Sequence, residues 1–302
     1  MTAISTDWTF QGLPLIRMEN ELLRAEILPA LGGKIWSLEH RGLRRQFLWH
    51  HPRHRLRALP VGANYDDHFF GGFDELLPND MPERIQGESL VDHGELWTTP
   101  LAIRVEGEKL VLSGHLPITP LSYRKTLRLE GNTLLVDYKL ANIGRRPLDL
   151  LWKMHPALRI TPRAEIIVPA RVARVADPQF SRRPQPPEFN WPEDKAAHFV
   201  PVMDATTEFL YLLELSEGQC ALGHRKEDWM FRMSFSREIF SSVWIFASFG
   251  CWRNLEVLIL EPCTTPRLSL AESTQAGTCL HLEPQAVIET SLRIEVGPYS
   301  LS

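Results

Sequence analysis

The chain has 302 residues, a formal net charge of -4 and a hydrophobic fraction of 44%, enough apolar material for a large core in one large domain or two small ones. The slightly acidic balance argues against nucleic acid as the main partner, which needs a basic face. No apolar run approaches the length of a membrane-spanning helix, so no membrane partner is expected.

The N-terminus, MTAISTDWTF, lacks a charged segment followed by an apolar run, so no signal peptide is expected. The basic stretch 41–57, RGLRRQFLWHHPRHRLR, has two readings. It is a solvated loop with a charged rim, or a phosphate-binding edge, because arginine forks match phosphate oxygens. Next comes 71–100, GGFDELLPNDMPERIQGESLVDHGELWTTP, which gathers Asp74, Glu75, Asp80, Glu83, Asp92, His93 and Glu95 beside Trp97. Glycines and prolines break its regularity, and loops on a β scaffold are where binding residues tend to lie. Sugars need this mixture: polar groups bond hydroxyls, and an aromatic face covers the apolar C–H side of the ring. Ordinary solvated acids in a surface loop are the competing reading.

Short alternating or β-branched runs follow at 101–105, 109–112, 127–129 and 133–140. The last alternates Leu134, Val136 and Tyr138 against Leu135, Asp137 and Lys139, the pattern of a half-buried strand, and Gly131-Asn132 supplies a turn before it. In 151–160, LWKMHPALRI, His155 stands on an apolar background. Such a histidine is more often a packed structural residue than a catalyst, and Lys153 nearby disfavours a second positive charge. The irregular segment 177–201 reads as a long surface loop, a class that often serves as a functional lid. Strand-like runs resume at 209–215. His224, Arg225, Asp228 and Trp229 then form a second sugar-facing edge or a polar turn, and Trp244 and Trp252 read as core or core-edge residues. In 255–262, LEVLILEP, Glu261 ends a strongly apolar strand. There it is either a base activated by partial desolvation or an ordinary strand-end carboxylate. A final run covers 287–296.

The 23 prolines suit strand edges and loops, and helical candidates are few and short. The expected fold class is all-β: a large antiparallel β-sandwich with few short helices, a single unit over 1–302. Cys220, Cys251, Cys263 and Cys279 form no CxxC pair and no zinc-like spacing with histidine, so a cytoplasmic protein with reduced thiols is the simplest account. No GxGxxG, P-loop, HExxH or GxSxG occurs, so no cofactor and no metal site are implied.

These segments, taken in order, resemble the aldose 1-epimerase (galactose mutarotase-like) superfamily. The resemblance runs from ILPALGGKIWSL through FDELLP, DHGELW and KMHPALRI to LILEPCTTP and HLEPQAVIETSLRI, nearly the whole chain. It implies a supersandwich with the sugar site on one large sheet and a small-molecule carbohydrate as partner; a homodimer is the one assembly considered, and the sequence does not fix it. It also implies His155 as general acid, Glu261 as general base and His93 as a binding histidine. Asp92, Glu95, Glu75 and Trp97 are added as binding residues, with Arg253 and Asp228 for the family's remaining binding arginine and carboxylate. The family's longer Asn-His aromatic motif is replaced by Met154-His155-Pro156, which marks a divergent branch and weakens galactose as the substrate. Four activities stay open on this reading: a mutarotase for a free or modified hexose, a sugar-phosphate mutarotase using the 41–57 arginines, a non-catalytic sugar binder, and a lyase or hydrolase with a long groove.

Overall fold

The computed structural model describes residues 1–85, 87–183 and 185–300. Gln86 and Pro184, which fall in the expected binding loop and lid, lie outside the described residues.

Antiparallel pairing dominates, as the alternating runs require. One sheet has twelve strands and a second has eight, with two small two-stranded ribbons beside them. The strand Thr133–Asn142 shows how the pattern works: Leu134, Val136, Tyr138 and Leu140 are buried while Asp137 and Lys139 are exposed. It lies in the eight-stranded sheet between Leu121–Glu130 and Val287–Gly297, and Gly131 takes the positive φ that the turn before it needs.

The two sheets enclose one main core. Leu258, Leu260, Val243, Ile245, Leu210 and Leu212 from the twelve-stranded sheet join Leu127, Leu134, Val136, Leu292 and Ile294 from the eight-stranded sheet. Each fully buried aliphatic side chain of this kind contributes about 1.5–3 kcal/mol. One polar bridge crosses that core. The Lys125 ammonium lies 2.8 Å from both Glu75 carboxylate oxygens, and the Tyr138 hydroxyl donates to Glu75 Oε1 at 2.8 Å.

Side chains alternate across a strand, so residues between the inward ones line the opposite face of the twelve-stranded sheet. Register then aligns them into a row. Ile35 pairs with Phe73, His155 with Asp74, Trp244 with Glu261, and Tyr211 with Trp244. The pairs Lys153–Cys263 and Ala157–Ile259 set His155 opposite Glu261. Lys34, Asp74, His155, Glu261, Trp244 and Tyr211 therefore stand side by side on one face, from six successive strands. A one-residue slip of any strand would turn its member into the core.

The segment 177–201 is more ordered than a free loop. Its strand Glu188–Asn190 pairs with Val172–Val175, and Ser181 and Arg182 bond Glu208 at 2.7 and 3.0 Å.

Candidate active site

A cavity of about 220 Å³ opens over this row. Lys153, His155 and Glu261 form its floor, His93, Asp80 and Tyr65 one wall, and Phe69, Phe180, Phe246, Trp252 and Ile259 the apolar surround. Asp66, Asp177, Phe209 and Leu268 complete the lining, Asp177 from the start of the 177–201 segment. The space suits a small ligand, and its mix of aromatic walls with a few converging polar groups is that of a binding site.

His155 Nε2 and Glu261 Oε2 are 3.8 Å apart. The Lys153 ammonium lies 3.1 Å from Glu261 Oε2 and 2.6 Å from Asp80 Oδ1, under the face of the Trp244 ring. Among the described residues neither of those two carboxylate oxygens has a well-aligned hydrogen bond, although both are buried. A ligand hydroxyl entering the cavity would meet carboxylate oxygens that are ion-paired with Lys153 and have lone pairs to spare. His93 donates from Nδ1 to Asp92 Oδ1 at 2.8 Å and turns Nε2 toward Asp80 Oδ1 at 3.7 Å. Asp92 also accepts the Tyr65 backbone N–H at 2.7 Å, and the Tyr65 ring stacks on His93 with centroids 4.4 Å apart.

Burial, followed by the charges of Lys153, His93 and Lys34, pushes His155 well below the ordinary imidazole value of 6.5. Burial raises Glu261 above the ordinary 4.5, with Lys153 pulling the other way. The two shifts run in opposite directions, each favouring the neutral form of its group. The shift favours a neutral His155 imidazole, as the neighbouring Lys153 suggested from the sequence. Burial works against a charged His93, but Asp80 and Asp92 outweigh it and raise its pKa.

No protein-family model matches the sequence, and no curated protein sequence matches it significantly. Solved structures do match. A protein from Klebsiella pneumoniae provisionally named an aldose 1-epimerase aligns at TM-score 0.78 and 13% identity, over 98% of this chain and 83% of that one. The Slr1438 protein from Synechocystis sp. PCC 6803 aligns at TM-score 0.74 and 16% identity, over 98% and 100%. A galactose mutarotase-like protein from Clostridium acetobutylicum aligns at 0.72 and 11%, over 99% of each chain. The chain has the galactose mutarotase-like fold.

On this mutarotase-like sheet His155, Glu261 and His93 line one cavity. Asp92 sits one shell back and orients His93. Trp97 is buried edge-on against Tyr65 at 4.9 Å, and its indole N–H donates to the Asp92 carbonyl, so it supports the wall and offers no sugar platform. Three further expectations are corrected. Glu75 faces the core because Asp74 has the outward phase of their strand. Glu95 is fully buried, accepting from Thr119 Oγ1 at 2.7 Å and from the Ile118 and Thr119 backbone N–H groups. Asp228 belongs to the hairpin between Gln219–His224 and Trp229–Phe235 in the other sheet, where it accepts the Tyr299 N–H at 3.0 Å. His224 to Trp229 is thus a polar turn.

Arg253 is on an exposed turn, paired with Asp67 at 2.8 Å, while its neighbour Trp252, half-buried at the edge of a core cluster as expected, also lines the cavity as an aromatic wall. None of the arginines of 41–57 lines the cavity. Arg45 stacks over Trp229 at 3.8 Å, Arg57 meets His68 at 2.9 Å, and Arg41 bonds the Asn20 carbonyl at 2.5 Å. These contacts correct the phosphate-clamp reading of the stretch. Reading the sequence missed Tyr65, Asp177 and Phe180 as lining residues and Lys153 as part of the floor, and it gathered Asp80 into the binding loop without singling it out. Asp80 and Lys153 were visible as charges inside the quoted motifs, while Tyr65 carried no signal.

Proposed function

We propose that the protein is an aldose 1-epimerase that interconverts the anomers of an unphosphorylated hexose or hexose derivative. The observation that carries this reading is the opposed pair of His155 and Glu261 at 3.8 Å on the floor of a cavity sized for one small ring.

The shared proton, resting on Glu261 while His155 Nε2 is bare, first passes to Nε2; in the forward direction the base, Glu261, then takes the proton from the anomeric hydroxyl. C1=O1 forms, the C1–O5 bond breaks, and O5 receives a proton from the acid, His155 Nε2. The open aldehyde rotates about C1–C2. Reclosure returns the O5 proton to His155 and the Glu261 proton to O1, on either face of C1. The cycle needs one proton held between the two residues, which rests on Glu261 when His155 is neutral. Each group contributes about 10²–10⁴-fold. His93, Asp80 and Lys153 bind hydroxyls, and Phe180, Phe246 and Trp252 cover the ring.

Charge favours a neutral sugar. The cavity is lined by Asp66, Asp80, Asp177 and Glu261 against Lys153 and His93, with no arginine among them. A phosphate dianion would meet repulsion there. A non-catalytic binder on the same fold is the second reading, and its test is turnover.

The deciding experiment follows anomer exchange by polarimetry or NMR on freshly dissolved aldoses and their 6-phosphates, with wild type, Glu261→Gln and His155→Asn. Exchange by wild type on free aldoses, lost in both folded variants, is the expected result. Binding of free aldoses without exchange would replace the enzyme reading with the binder. Faster exchange on the 6-phosphates would overturn the charge argument.

A further inference from the structure

Behind His155, on the side away from Glu261, stands a buried polar chain. The Tyr65 hydroxyl lies 2.8 Å from Asp74 Oδ2 and 3.1 Å from His155 Nδ1. The same Asp74 oxygen takes the Lys34 ammonium at 2.5 Å, and Lys34 also donates to the Gly71 carbonyl at 2.8 Å. Lys34, Asp74, Tyr65 and His155 are all buried.

Tyr65 has one hydroxyl hydrogen and two neighbours. If it donated to His155, the Tyr65 and Asp74 oxygens would face each other at 2.8 Å with no hydrogen between them. That is repulsive in a dry interior. The hydroxyl therefore donates to Asp74, and its lone pair accepts a hydrogen from His155 Nδ1. The tautomer follows: Nδ1 carries the hydrogen, and the Nε2 lone pair faces Glu261 and the cavity.

Tyr65 is in turn fixed at three points. Asp92 accepts its backbone N–H, its ring stacks on His93, and Trp97 meets it edge-on. The hydroxyl has no freedom to leave the chain. When Nε2 gains a proton during turnover, the new positive charge is already bonded through Tyr65 to Asp74. A carboxylate that orients a histidine and stabilises its cation is a general device; here a phenol is inserted between the two.

We propose that Lys34, Asp74 and Tyr65 form a positioning relay that holds His155 in the Nδ1–H tautomer and makes Nε2 its only proton-exchanging atom. The relay's catalytic value rests on the mutarotase reading, whereas its tautomer assignment does not. The charged groups facing His155 are Lys153, His93, Lys34 and Glu261, with Asp74 acting through Tyr65.

The test uses the full chain labelled with ¹⁵N-histidine and long-range ¹H–¹⁵N correlation, the His155 signals being identified by their loss in His155→Asn. Wild type should show a protonated Nδ1 and a bare Nε2 at neutral pH. Tyr65→Phe keeps the ring stack and removes only the hydroxyl. It should release the lock, populate Nε2–H, and lower kcat for anomer exchange about tenfold or more with KM nearly unchanged. Asp74→Asn should shift the tautomer in the same direction. An Nε2–H tautomer in wild type overturns the proposal whatever the activity and whether or not the variants fold. An unchanged kcat in folded Tyr65→Phe overturns the positioning role. A locked tautomer in a wild type that exchanges no sugar supports the relay and counts against the mutarotase reading alone.

Discussion

His155 and Glu261 occupy directly opposed positions on neighbouring antiparallel strands, and their working atoms lie 3.8 Å apart. Sheet register alone brings together two residues that are distant in the chain. Both are buried, and both lie in the field of Lys153.

Two groups that work as one unit are non-additive when removed. Glu261→Gln and His155→Asn should each reduce anomer exchange by about 10²–10⁴-fold. The double variant should fall little further than the worse single variant, as read by polarimetry on one free aldose. Multiplicative losses would show that the two act independently.

Lys153 lowers the pKa of both His155 and Glu261. Replacing it with methionine removes that pull, so both limbs of the pH profile of kcat/KM should move to higher pH. The variant also leaves Asp80 and Glu261 as buried carboxylates without their cation, which costs about 3–5 kcal/mol in stability. Denaturant melts and pH–rate profiles read the two effects separately. A downward shift of the profile would contradict the assigned sign.

His50 stacks on Trp36 at 3.7 Å and bonds the Trp36 carbonyl, and burial lowers its pKa to about 4. The unfolded state then takes up a proton near 6.5 that the folded state refuses. Stability from this group is full above 6.5 and is lost as the pH falls toward about 4. His50→Gln should flatten the stability slope at pH 5 by about 1.4 kcal/mol per pH unit. Parallel slopes would mean that His50 titrates normally in the folded chain.

Lys125→Met leaves Glu75 charged and alone in the core and should cost about 3–5 kcal/mol. Adding Glu75→Gln should recover much of that loss, since a neutral amide can still bond Tyr138. Urea melts of the two singles and the double close the cycle, and additive losses would show no coupling between the pair.

The strands were legible because their apolar alternation is strong, as in Thr133–Asn142. His155, Glu261 and His93, which line one cavity, were picked out through the ordered motifs. The phase of the strand Phe73–Leu76 was not legible. Asp74 and Glu75 are adjacent carboxylates, both nearly inaccessible to solvent, one on the outer face of the sheet behind Tyr65 and one facing the core. Composition cannot tell which is which, because each has a lysine waiting, Lys34 in front and Lys125 behind. Glu95 misled for a related reason: it sits in an acidic loop motif but folds onto backbone N–H groups. Tyr65 comes from a stretch with no regular pattern, and only the packing of its ring places it.

The double anchorage of the strand Phe73–Leu76 has a consequence for how the molecule opens. One side chain ties it to the outer row and the next to the opposite sheet through the middle of the core. Fluctuations that free Asp74 from Tyr65 must therefore disturb a bridge shared by both sheets. Amide hydrogens of this short strand should exchange only through the global opening of the molecule, with the protection of its deepest core and not that of a surface-facing pocket wall. Heating should abolish sugar turnover and tertiary structure in a single transition.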